Sequence, residues 1–154
     1  HYTELLGKGD AILYGRTTYE LMEFWRTVLE DPSEQKSMND FAVAIDSIPK
    51  IVFSRTLKNV DWESASIAKH DLQDEVLELK KQSGRDIFIG CRSLIIQLLK
   101  LNLIDEFQLC IHPMLEGNGL QLFKDINDRI IFKLVKTKTF KNGAIILYYQ
   151  PKNE

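Results

Sequence analysis

Three short stretches combine hydroxyl and guanidinium groups, two of them with glycine, as a phosphate-binding surface would: Gly15-Arg16-Thr17-Thr18, Ser54-Arg55-Thr56 and Gly90-Cys91-Arg92-Ser93. The planar fork of arginine matches phosphate oxygens two at a time, and glycine lets an anion approach bare backbone. Each stretch also has a plain structural reading. Thr17 with Glu20 three residues on fits a helix capping box, Ser54-Arg55 fits the start of a solvated loop, and Gly90 fits a strand stop. Repetition of the same chemistry at three places raises the ligand reading above these.

Other reactive side chains offer less. His112 precedes Pro113 in a strand-like run and reads as a structural histidine or a dimer-face residue. Cys91 sits where a helix begins, a position that favours thiolate, with no base beside it in sequence. Cys91 and Cys110 make no CxxC or Cys/His cluster, so free buried thiols are expected, and no metal site.

The elements that must carry the three stretches follow from periodicity. Ile87-Phe88-Ile89 is a short apolar run that stops at Gly90, as a strand buried on both faces does. Leu94, Ile95, Leu98, Leu99 and Leu101 then recur at helical spacing. Ala11 to Tyr14 followed by Gly15 repeats the pattern, with Leu21, Met22, Trp25, Val28 and Leu29 as the apolar face of the helix after it. Ile51-Val52-Phe53 is a third strand, ending at Ser54. In mainly parallel sheets the carboxyl ends of the strands share an edge and ligands bind beyond it, where helix N-termini also point.

Around this frame the spacing predicts an initial helix closed by Gly7, a helix through Met38, Phe41, Ala42 and Ile45, and a short strand near Ser66 to Ala68. A further helix is capped by Asp71 and stopped at Gly84. Glu106 to Leu115 reads as a long strand, joined to the Ile87 strand by a right-handed crossover in the same sheet. Ile130 to Phe140 and Ala144 to Gln150 read as a hairpin about a two-residue Asn142-Gly143 turn. The fold class is therefore α/β, in one domain over residues 1–154.

Composition narrows the function. Hydrophobic residues at 44% and charged residues at 27% are a globular balance. A formal charge of -2, without long runs of either sign, argues against nucleic acid as a partner. No apolar run is long enough to cross a bilayer, and the first residues do not form a secretion signal. With unpaired thiols, the expectation is a cytoplasmic protein acting on a small molecule.

The motifs taken together resemble a known family. Gly15-Arg16-Thr17-Thr18-Tyr19-Glu20, Ile48-Pro49-Lys50 with Val52 to Leu57, Ile89-Gly90 with Ser93-Leu94, and Ile104-Asp105-Glu106 through His112-Pro113 to Gly117, Gly119, Leu122 and Phe123 are similar to the RibD C-terminal, dihydrofolate-reductase-like family in its single-domain bacterial form. The resemblance implies a three-layer fold with a mainly parallel central sheet and a C-terminal antiparallel hairpin, NADPH as hydride donor, and a homodimer. It implies that Gly15, Arg16, Thr17 and Thr18 meet the pyrophosphate and adenosine side of the cofactor. Ser54, Arg55 and Thr56 with Arg16 would surround its 2'-phosphate, and Gly90, Cys91, Arg92, Ser93 and Leu94 would wrap the pyrophosphate and nicotinamide end.

The chain departs from the family pattern twice. The family begins with a strand and a Ser-Leu-Asp-Gly-like segment beside nicotinamide and substrate, and this sequence starts after it, so no catalytic residue is assigned. Gly90-Cys91 stands where dihydrofolate reductases proper have Gly-Gly. The expected activity is NADPH-dependent reduction of a small heterocycle of the pterin or ribosylamino-pyrimidine class, as in folate or riboflavin metabolism. The alternative is a non-catalytic module of the same fold that binds a nucleotide or heterocycle.

Overall fold

A computed structural model describes residues 1–124, 126–127 and 129–152. The chain forms two compact units, residues 1–95 and 96–154, and the division falls inside one helix. The architecture is α/β, with a four-stranded parallel sheet in the first unit and a three-stranded antiparallel sheet in the second.

The first unit begins with α1 (Tyr2–Leu6), followed by β1 (Gly9–Gly15), α2 (Arg16–Met22), α3 (Phe24–Glu30) and α4 (Lys36–Ser47). Then come β2 (Lys50–Phe53), β3 (Ala65–Ile67), α5 (Leu72–Lys81) and β4 (Asp86–Ile89), after which α6 (Arg92–Lys100) carries the chain on. The strand order is β3-β2-β1-β4. β1 is central, and Ala11, Ile12, Leu13 and Tyr14 are all buried, the continuous apolar run expected of a strand covered on both faces. Ile12 and Tyr14 pack with Ile45 and Ile48 of the α4 end, Val52 of β2, Tyr19 and Trp62. Leu13, pointing to the other face by the two-residue period, is fully buried.

One charge lies in this interior. Lys50 opens β2 at 1% exposure, and its Nζ donates to Asp46 O at 3.1 Å, Ile48 O at 2.8 Å and Ser64 Oγ at 2.7 Å. Two of those acceptors are carbonyls at the C-terminal end of α4, where helix carbonyls have no partners of their own and a cation is favoured. The ammonium also lies 4.1 Å from the centre of the Trp62 ring.

The second unit contains β5 (Phe107–Ile111), β6 (Phe132–Thr139) and β7 (Ile145–Pro151), ordered β5-β7-β6 and all antiparallel. Ile146 and Tyr148 of the central strand are buried, whereas β6 is exposed along nearly its whole length. Asn102, at φ 54°, ends α6 in the left-handed conformation, with Leu103 N–H returning to Leu98 O at 2.9 Å.

Several local expectations are corrected. β5 does not join the parallel sheet: it pairs antiparallel with β7, and it ends at Ile111 because Pro113 cannot donate to a ladder. The Thr17/Glu20 capping box does not form, since α2 starts at Arg16 with Gly15 as its N-cap and no side-chain cap bond. The helix after Gly15 breaks at Glu23 into two, which leaves Leu21 at 70% exposure and buries Tyr19 instead. α5 ends at Gln82, ahead of Gly84. The turn between β6 and β7 encloses three residues, not two, between Phe140 and Ala144: Phe140 N–H donates to Ala144 O at 2.8 Å, and within it only Gly143, at φ 86°, is left-handed.

Candidate functional site

The three sequence-predicted turns leave one edge of the parallel sheet. β1 and β2 run level, with Gly15 opposite Phe53, and on the other side Leu13 lies opposite Ile89 of β4. All twelve predicted residues therefore fall in the first unit, at the carboxyl ends of three adjacent strands. From β1 the chain moves outward to β2 and β3, then returns to place β4 on the opposite side. That reversal makes the β1/β4 edge a topological switch point, the position at which open α/β sheets bind ligands.

The β1 and β2 turns touch through side chains. Arg16 Nη1 donates to Thr56 Oγ1 at 3.0 Å, while Arg16 Nε pairs with Glu20 Oε1 at 2.9 Å. Ser54 Oγ accepts the N–H groups of Thr56 at 3.1 Å and Leu57 at 2.9 Å, a local turn that fixes the backbone on either side of Arg55. Arg55 is exposed and pairs with no described carboxylate. Thr17 lies exposed in the first turn of α2.

The β1 and β4 turns meet at Cys91. The last backbone bond between these strands runs from Gly90 N–H to Leu13 O at 3.2 Å. A Cβ on Gly90 would come within 2.6 Å of the Tyr14 ring, so packing against that ring already requires glycine there. Cys91 follows, buried, with Sγ 3.1 Å from Ser93 Oγ, and its carbonyl accepts the Ile95 N–H at 2.9 Å at the start of α6. Burial pushes the Cys91 thiol up, and its polar surroundings, the Ser93 hydroxyl first among them, outweigh it and hold the thiol below its ordinary range. Arg92 and Ser93 are exposed, whereas the Leu94 side chain is buried and only its backbone faces the turn.

Two participants escaped the sequence reading. Glu20 holds Arg16, a contact that its i,i+4 spacing on a helix signals, yet the capping-box reading assigned Glu20 to Thr17. Tyr14 occupies the space beside Gly90; its hydroxyl is buried without a partner among the described residues, and burial raises its pKa. Elsewhere, Cys110 Sγ lies 3.7 Å from His112 Nε2, both cysteines are free thiols, and no group of metal-ligating side chains occurs among the described residues. Among the described residues no helix is long and apolar enough to cross a membrane.

The model of the RibD C-terminal domain matches residues 1–146. The chain belongs to the RibD C-terminal domain family. This RibD C-terminal domain is 38% identical over 149 residues to the uncharacterized protein YyaP of Bacillus subtilis (strain 168), an alignment covering 96% of this chain and 77% of YyaP. Its fold is shared with a putative riboflavin biosynthesis protein from Shewanella sp. PV-4, at a TM-score of 0.74 and 22% identity over 99% of this chain and 79% of that one. It is shared also with a pyrimidine reductase-like protein of Corynebacterium diphtheriae, at a TM-score of 0.67 and 17% identity over 99% and 80%. Membership in the family supports a reductase-like role.

Proposed function

We propose that this domain is an NADPH-dependent reductase that delivers hydride to a C=N or C=O bond of a small heterocycle, of the pterin or ribosylamino-pyrimidine class. The observation that carries the reading is the Arg16–Thr56 bond, which draws the β1 and β2 turns together beside the exposed Arg55. Two guanidinium groups and the hydroxyls of Ser54 and Thr56 at a single edge suit a dianionic phosphate such as the 2'-phosphate of NADPH. The donor set therefore fits the cofactor's most highly charged group.

In this reading Arg16 and Arg55 hold the 2'-phosphate, and Glu20 fixes the Arg16 fork before the ligand arrives. Backbone N–H groups at the start of α6 and at the Gly15 turn face the pyrophosphate. A bound nicotinamide supplies the hydride, and the protein supplies positioning and charge. What supports a reductase in general is membership in the RibD C-terminal domain family.

The test is NADPH oxidation followed at 25 °C with a panel of pterins and ribosylamino-pyrimidines. Turnover that falls at least tenfold in Arg55→Ala, through the KM for NADPH, is the expected result. NADPH binding with no turnover across the panel would replace the enzyme with the non-catalytic binding module.

A further inference from the structure

The loop between β2 and β3, residues 54–64, carries Ser54, Arg55 and Thr56 at its start and is tied down at its other end as well. There Trp62 is buried, and its Nε1 donates to Asp46 Oδ1 of α4 at 2.6 Å, while Ser64 Oγ donates to Asp46 O at 2.6 Å. That end of the loop is fixed. Just before it, Asp61 Oδ1 accepts from the Tyr19 hydroxyl of α2 and from Arg26 Nη1 of α3, both at 3.3 Å. Arg26 is shared with Glu23 at 3.7 Å, and the Asp61 side chain is 80% exposed, so the ion pair alone contributes little. Tyr19 is different: it is buried, its ring centre lies 6.4 Å from that of Trp62, and its hydroxyl is held in place. Helix α2 therefore meets the loop twice, Arg16 at Thr56 and Tyr19, nearly one turn on, at Asp61.

We infer that Tyr19 and Asp61 are positioning residues, a clamp that holds the β2–β3 loop along α2 so that Arg55 and Thr56 stand beside Arg16 before ligand arrives, a role whose consequence for binding rests on the NADPH reading. A carboxylate repels a phosphate, so Asp61 serves the site through the loop and not by contact. The Tyr19 hydroxyl is likewise spent on Asp61. Between the two ties, Leu57 and Val60 pack partly buried against the core, so the segment is held at both ends and along its apolar side. What the clamp preserves is the spacing of the two guanidinium groups.

A double-mutant cycle of Tyr19→Phe and Asp61→Ala tests the clamp. Its readouts are the dissociation constants of NADPH and NADH, and hydrogen exchange over residues 54–61 of the free protein. Each single substitution is expected to weaken NADPH roughly three- to tenfold, with the double variant no weaker than the worse single. NADH lacks the 2'-phosphate that the loop's cation meets, so its affinity should change by less than about twofold. Asp61→Asn, which keeps an oxygen for the Tyr19 hydroxyl, should stay within about twofold of the parent for NADPH. Tighter NADPH binding in Asp61→Ala would overturn the clamp, because the carboxylate would then act on the ligand by charge alone. Losses that multiply in the double variant, equal losses for the two nucleotides, or unchanged NADPH affinity would overturn it too. If the parent itself fails to bind NADPH, the cofactor reading falls and exchange decides the clamp: faster exchange over residues 54–61 in both single variants supports it, and unchanged exchange refutes it.

Discussion

The two sheets of this protein solve different problems. In the parallel sheet every strand points the same way, so the ends of β1, β2 and β4 collect on one edge, and the groups that follow them are brought together without any long-range motif. In the antiparallel sheet successive ends alternate, so no edge gathers strand-end chemistry, and β6 is exposed along nearly its whole length. All twelve predicted ligand residues lie at or just beyond the strand ends of the parallel sheet. The lesson is that topology, more than any single residue, concentrates the candidate site.

Burial should separate the two units most sharply. Leu13→Ala in central β1, where the leucine is fully buried, should cost about 2–5 kcal/mol, whereas Leu134→Ala on β6, at 48% exposure, should stay within about 1 kcal/mol. Denaturant midpoints at constant m-value measure both. Equal losses would break the contrast between a doubly covered and a half-exposed sheet.

Lys50 gives the next largest effect, confined to the first unit. Burial lowers its pKa from 10.5 to about 8, with Asp46 acting in the opposite direction. Between those values the unfolded chain binds more protons than the folded one, so stability should rise with pH through that window, by at most about 3 kcal/mol. Below about pH 8 the full cost of the buried charge is present. The check is chemical denaturation from pH 7.5 to 10.5: the parent's stability should rise relative to Lys50→Met, and a parallel pair of curves would contradict the assignment.

Gly90 and Gly143 sharpen the comparison at smaller scale. Gly90→Ala drives a methyl into the Tyr14 ring and should cost roughly 1–3 kcal/mol. Gly143→Ala strains a left-handed turn residue and should cost about 1 kcal/mol. Thermal midpoints should fall in that order, and NADPH affinity should change only for Gly90→Ala, which lies at the switch point.

Much of this arrangement is legible in the sequence because it is local. The apolar run Ala11–Tyr14 announces a buried strand, Asp71 caps α5 by accepting from Asp74 N–H at 3.0 Å, and the glycines mark the turns; Ile87–Ile89 reads as equally buried but forms a half-buried edge strand. What escaped depends on contacts distant in the chain. The partner of β5 is β7, some 35 residues on, and no periodicity in Phe107–Ile111 names it. The close approach of Cys91 to Gly15 and the Tyr14–Gly90 packing join segments brought together only by strand order. Glu20 was visible but ambiguous, since the residue three before it and the residue four before it both offered a plausible bond.

The central claim is that the three strand-end turns bind a phosphate-bearing nicotinamide cofactor, and thermal unfolding with NADPH, NADH and no ligand tests it most directly. At about a hundred times its dissociation constant a ligand adds roughly 2.7 kcal/mol, which moves a domain of this size by several degrees. The account predicts a clear upward shift with NADPH, a much smaller one with NADH, and loss of the difference in Arg55→Ala. No shift with either nucleotide would contradict it and would leave the three turns as structural features alone.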